Sequence, residues 1–372
     1  MLSQRHLLSS YIVRRLRVFY TPGVMRDSSH SAAITNSTYD IWLAGGLSIL
    51  VLGALSLFGL LGSTDLLLQN FLVLTVLLNG THFMASYRLL YSSRAYAAKY
   101  PWASFYLPGI LLAYSVAAVI ICRSYDGVTA PLDLLTIVAT LYLALHYTGQ
   151  AWGVTSTFAA LEGVRFEPDE RVVLRRFLRF MAFWHVVWGA KILWPPAAEY
   201  SSYVRVIDVI LNCGAAVSLF GGLLCFWRMG KRLGRPVPMR VVTPYLALHT
   251  WYAFLYVFPQ SLFWVQIFHA LQYLPFPLRV ELNRAHGYED TSEAKNWRVM
   301  LGYSVALILT SALIFAVIPK IAQWSTNGTN SFWLAIAACI NIHHYFIDGC
   351  IWHISNPVVS KELFAHTRKG ER

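Results

Sequence analysis

Ten runs of apolar residues, each 17 or more residues long, constrain this chain more than anything else in it. A helix rises about 1.5 Å per residue, so such runs approach or exceed the hydrocarbon thickness of a bilayer, about 30 Å. Within a bilayer every backbone N–H and C=O must find a partner inside the protein, and only helices and closed barrels meet that demand. Barrel strands need only about 10 residues. The expected fold is therefore all-α: a polytopic transmembrane helix bundle of about ten spans, at 41–61, 67–90, 105–122, 132–161, 177–193, 204–227, 241–258, 260–276, 300–318 and 331–354. Charged residues make up 13% of the chain, about half the share in soluble proteins. Pro195-Pro196 is expected to close the fifth span, Pro259 to mark the turn before the eighth, and Pro275 and Pro277 to end the eighth.

The loops test this count. With the N-terminus cytoplasmic, 26 of the 30 basic residues fall on one side, leaving Arg123, Lys191, Arg205 and Lys320 on the other. Such asymmetry places both termini in the cytoplasm and suits the inner membrane of a bacterium. The net charge of +12 is then no sign of nucleic-acid binding, because the basic side chains sit in short loops. Three regions follow: a basic N-terminal segment over 1–39, the bundle over 40–355, and a cytoplasmic tail over 356–372. The first carries Arg5, Arg14, Arg15, Arg17 and Arg26 without the apolar core of a signal peptide. Residues 7–20 read as a surface amphipathic helix or a disordered tail. Residues 279–298 read as a short cytoplasmic helix or lid. The five cysteines form no CxxC pair and read as small buried hydrophobes.

Intramembrane ionisable groups are costly and mark sites. Eight histidines lie in the spans: His82, His146, His185, His249, His269, His343, His344 and His353. Spans 2, 4, 8 and 10 run in the same direction, so His82, His146, His269 and one of His343 and His344 can face one another. The last two point about 100° apart, so one of them faces the centre. Imidazole suits iron, copper and zinc. Gln150, Gln272 and Asp348 stand three or four residues beyond a histidine and are expected to orient the ligands. Asp348 and Tyr345 are the residues expected to act in catalysis. Asp348 needs a histidine or Arg88 as partner, or a proton. Asn79-Gly80-Thr81 offers polar groups and a close helix approach. His185 and His249 read as hydrogen-bonding to neighbouring helices, and His353 as interfacial. Trp152, Trp184, Trp188, Trp251, Tyr252, Tyr273, Tyr345 and Trp352 lie near the histidines and could line an apolar cavity or pack the core. No HExxH or desaturase-type histidine box is present.

A multi-span bundle with single histidines on separate helices resembles the Brp/Blh family of bacterial membrane carotene dioxygenases. The likeness rests on Gly80-Thr81-His82, His146, His269 and the stretch from His343-His344-Tyr345 to Asp348. It departs from that family's Pro-His-Gly-rich segments. The resemblance implies a non-haem iron held by histidines and the cleavage of β-carotene to retinal. The combined expectation is a membrane oxidoreductase with non-haem iron, or another transition metal. O₂ and a lipophilic molecule from the bilayer, a carotenoid, isoprenoid or acyl lipid, would be its partners, with membrane lipids around it. A proton- or ion-coupled transporter using the histidines and Asp348 is the alternative from another class, and a haem protein with two axial histidines is a third.

Overall fold

The computed structural model describes residues 33–60, 64–195, 197, 200–285, 293–325, 331–352 and 357–367. Among the described residues every regular element is helical and there is no strand. Helix α1 is Ser37–Leu57, α2 spans 64–90, α3 is Arg94–Lys99, and α4 is Trp102–Ser124. They are followed by α5 (Ala130–Leu161), α6 (Pro168–Leu193), α7 (Ser201–Leu233), α8 (Met239–Val257) and α9 (Leu262–Tyr273). The chain continues with α10 (Pro275–Ala285), α11 (293–325), α12 (Ser331–Ile351) and α13 (Pro357–Leu363). All ten apolar runs are thus helical in the residues described. His353 and the expected surface helix over 7–20 lie outside the described residues, as does much of the proposed lid.

Among the described residues five helices are long and apolar enough to cross a bilayer: α1, α4, α5, α7, and α11 over Asn296–Ile321. Their outer faces expose large apolar side chains, including Leu112 at 66%, Phe220 at 66% and Leu309 at 65%. Water would not tolerate so much contiguous apolar surface, so the chain is a membrane protein. Other segments fall short of that standard. Helix α9 has 12 residues and rises only about 18 Å.

The prolines act partly as expected. Helix α6 ends just before Pro195, and Pro259 opens a short 3₁₀ turn between α8 and α9. Pro275 and Pro277 instead start a new helix, with only Leu274 between α9 and α10. A proline in the first turn has no donor to lose, so it favours an N-terminus as readily as it ends the preceding helix.

Four helices carry a π turn, at Trp42–Gly46, Thr75–Asn79, Trp102–Tyr106 and Leu313–Val317. Each extra residue rotates the side chains beyond it and loosens the carbonyl ladder. In α1 the turn holds Gly45 at φ +140, and a Cβ there would lie 2.3 Å from the Ala247 Cβ of α8. Gly45→Ala is expected to destabilise the fold by about 3 kcal/mol, through backbone strain and overpacking together. Gly53→Ala, on the same helix with nothing within 4 Å, should be neutral. Thermal unfolding of the two purified variants, side by side, checks this.

Helix α5 packs on α6, α8 and α12, and α12 also packs on α2 and α4. Helix α2 in turn meets α9 and α11. Helices α2, α5, α9 and α12, which carry His82, His146, His269 and His344, therefore lie against one another or share a neighbour in the interior.

At one end the chain is clasped by buried polar groups. Asp40 is 1% exposed and accepts hydrogen bonds from Ile34 N (2.8 Å), Thr35 N (2.9 Å) and Thr35 Oγ1 (2.8 Å). Arg240 approaches it at 3.5 Å and also pairs with Glu162. Arg279 Nε donates to Ile34 O. The tail joins in: Asn283 donates to Glu362 O, Arg284 pairs with Glu362, and His366 Nε2 donates to Ala33 O at 2.8 Å. Burial, reinforced by the Arg279 guanidinium, pushes the His366 imidazole down to about 4. The folded state therefore binds fewer protons than the unfolded one between pH 6.5 and 4. The clasp is fully stable above pH 6.5 and weakens as pH falls through that window. Release of the tail, read by limited proteolysis, should rise about tenfold between pH 7 and pH 5. His366→Gln should remove that dependence.

Candidate metal centre

Four imidazoles meet in the core. His82 comes from α2, His146 from α5, His269 from α9 and His344 from α12, and their exposures run from 0% to 7%. Their rings form a four-sided cycle. Successive centroids lie 4.4 Å (His82–His344), 4.9 Å (His344–His146), 4.7 Å (His146–His269) and 4.9 Å (His269–His82) apart, with a His82–His146 diagonal of 6.1 Å. The Nε2 atoms of His146 and His269 are 2.9 Å apart.

A carboxylate closes one face of the cycle. Asp348 Oδ2 lies 3.5 Å from His344 Nε2 and 3.9 Å from His82 Nε2. Its Oδ1 accepts hydrogen bonds from Ser86 Oγ (2.7 Å) and Tyr273 Oη (3.3 Å). Trp352 Nε1 in turn donates to Tyr273 Oη at 2.7 Å. One oxygen is thus tied down and the other faces the imidazoles. Arg88, a candidate partner by sequence, pairs with Glu281 instead.

The arrangement follows from helical periodicity. Residues four apart share a helix face, and each of the four helices carries a polar residue four beyond the histidine: Ser86, Gln150, Tyr273 and Asp348. Gln150 turns to the His269 carbonyl and Gln272, and the other three come together. Ser86 was not singled out by the sequence reading, although its spacing from His82 is the same as that of Asp348 from His344.

These groups fit a metal ion. Donor atoms of His82, His146, His344 and Asp348 lie within 4.8 Å of one another. With a metal–nitrogen bond of about 2.1 Å, adjacent nitrogens around one ion stand about 3.0 Å apart and their ring centroids about 4.6 Å apart. The observed nitrogen separation and cycle edges match both values. Both nitrogens of His82 and of His344, and Nδ1 of His269, are buried with no hydrogen-bond partner. Leaving such atoms bare is costly, and a cation satisfies imidazole nitrogens and the carboxylate together.

Other expected residues lie elsewhere. His343 is turned away: Tyr87 Oη is 2.9 Å from its Nδ1, and its Nε2 lies 2.6 Å from Ala103 O. Tyr345 stacks on His146 at 4.5 Å, while its hydroxyl donates to Asn341. Gln150 Nε2 donates to the His269 carbonyl and to Gln272 Oε1, each at 3.0 Å, and Gln272 Nε2 donates to Ala44 O in the α1 π turn. These amides brace the helix backbones around the site rather than its ring nitrogens. His249 bonds Ser218 Oγ and Tyr245 O, as expected of a packing histidine.

Comparison with known proteins gives no match to a family model, a curated protein or a solved structure. Fold and site together define the class: an all-helical membrane protein with a buried histidine–aspartate cluster able to hold a metal ion.

Proposed function

We propose that this protein is a membrane-embedded metal oxidoreductase in which four histidines and Asp348 hold a non-haem iron, and which oxidises a lipophilic substrate from the bilayer. The observation that carries this reading is that His82, His146, His344 and Asp348 bring donor atoms within 4.8 Å of one another, with His269 Nε2 2.9 Å from His146 Nε2. With His269 added to the four close donors, the set would be one short of octahedral, which leaves room for a reactant. Iron supplies redox chemistry toward O₂. The chain's part is to hold and orient the donors and to exclude water. Ser86 and Tyr273 fix one Asp348 oxygen so that the other faces the site. Phe83, at 4.6 Å from His344, and Tyr345, against His146, seal two sides.

The resemblance to the Brp/Blh family favours a carotenoid among the lipophilic candidates. The balanced reaction is cleavage of one C=C bond by one O₂, which leaves two carbonyl groups, each with one oxygen atom from O₂. About ten spans with both termini in the cytoplasm, in the inner membrane of a bacterium, complete the proposal.

The test offers iron-loaded protein in lipid nanodiscs β-carotene, squalene or an oleoyl lipid under ¹⁸O₂. The expected result is O₂ uptake and labelled aldehyde from one of the three, lost in His344→Ala. Protein that holds iron yet consumes O₂ with none of them would contradict the proposal.

A further inference from the structure

A second group of buried polar side chains lacks partners within the protein. His185 is 0% exposed, and Tyr147 and Tyr252 are each 1% exposed. Neither nitrogen of His185 and neither of the two hydroxyls makes a hydrogen bond. The three rings adjoin, with centroids 5.2 Å (His185–Tyr252) and 6.0 Å (His185–Tyr147) apart, although they come from α6, α8 and α5. His249 shows the ordinary alternative, with both nitrogens engaged. A buried polar group left unpaired costs about 1–3 kcal/mol, and native proteins hold few of them. Four such atoms gathered at one place mark a site built for something polar.

The surroundings limit what that is. Trp188 lies 5.5 Å from His185, Trp184 stacks on Tyr252 at 5.3 Å, and Trp251 lies 6.3 Å from Tyr147. The ionisable groups that act on these three side chains are other tyrosines, with no carboxylate, lysine or arginine among them. A carboxylate or ammonium would enter without a counter-charge and lose its hydration. Neutral imidazole and phenol each offer a donor and an acceptor, which suits a neutral oxygen. The indole walls suit the apolar chain that carries it. Tyr147 follows His146, and its ring lies 4.5 Å from that of His269, so the group adjoins the candidate metal centre.

We infer that His185, Tyr147 and Tyr252 form a binding site for the carbonyl or hydroxyl oxygen of a lipophilic molecule, beside the metal centre. That this molecule is the enzyme's substrate or product rests on the function proposed above, since cleavage of a C=C bond yields carbonyls.

The experiment uses the purified full chain in nanodiscs with ¹³C-carbonyl hexadecanal as probe. Binding is followed by tryptophan fluorescence and by the infrared C=O band. Saturable binding with a lowered C=O frequency is expected. Hexadecanol should compete, and hexadecane and palmitate should not. Tyr252→Phe and His185→Phe should each weaken binding at least tenfold while metal content stays unchanged. Removing an unpaired hydroxyl costs the ligand-free protein nothing, so Tyr252→Phe should melt no lower than wild type. Equal binding of hexadecane, unaltered affinity in both variants, or an unshifted C=O band (water alone in the site) would overturn the inference. Protein that binds hexadecanal as described but holds no metal would sink the enzyme reading and leave this one standing. An active metalloprotein whose variants bind hexadecanal normally would do the reverse.

Discussion

Replacing His344 with alanine should lower bound metal from about one equivalent per chain to below a tenth of that, and His82→Ala should do the same. His343→Ala, one residue away, should leave metal content unchanged. The contrast follows from where the two adjacent rings point. The His344 ring lies 4.4 Å from that of His82 and 4.9 Å from that of His146, its Nε2 is 3.5 Å from Asp348, and neither nitrogen has a hydrogen-bond partner. His343 is occupied by Tyr87 and by the Ala103 carbonyl. Its loss leaves a packing gap and an unpaired carbonyl, which costs stability of about 2 kcal/mol without touching the donor set. Elemental analysis of each variant, after size-exclusion chromatography has confirmed its fold, measures the effect. Equal metal loss in His343→Ala and His344→Ala would point to a general response to damage in α12.

Removal of the metal should be the largest single perturbation of stability. A ligand present at a thousandfold its dissociation constant stabilises the folded state by about 4 kcal/mol. For a chain of this size that corresponds to a fall of about 5 °C in the thermal midpoint on chelation. The physical origin is that stripping the ion leaves Asp348 and the bare nitrogens of His82 and His344 buried without a cation. Asp348→Asn should therefore shrink the difference between loaded and stripped protein. It should also make the stripped form at least as stable as stripped wild type, because an uncompensated carboxylate is gone. Scanning calorimetry on the four preparations checks both effects.

Much of this was legible in the sequence, because length and apolarity leave a chain in a bilayer few options. Every expected apolar run is helical where described, and five meet the requirements of a span by themselves. The meeting of these helices was also legible, since the expected ten-span topology puts His82, His146, His269 and His344 on runs of common direction. The choice between His343 and His344 was not. They differ by one residue on a helix that is apolar all round, and only contact with Ala103 and Tyr87 separates them. The π turns were hidden as well, because an extra residue in a uniformly apolar helix leaves no mark on its pattern. Ser86 and Tyr273 had the informative spacing, but serine and tyrosine are ordinary in such helices. Gln150 had that spacing too, and Gln272 stands three beyond His269; the two turned to each other, because an amide on a shared face takes whichever partner the adjacent helix presents. His185 and His249 looked alike in sequence. The neighbouring helix offers Ser218 to one, whereas only aromatic rings surround the other.

The central claim is that His82, His146, His269, His344 and Asp348 hold one metal ion. X-ray absorption at the metal edge of the purified protein tests it most directly. The account predicts a first shell of nitrogen and oxygen at about 2.0–2.2 Å, with the multiple-scattering signature of three or four imidazoles and no sulfur. A shell with fewer than two imidazoles, a sulfur ligand, or no metal above background would contradict it.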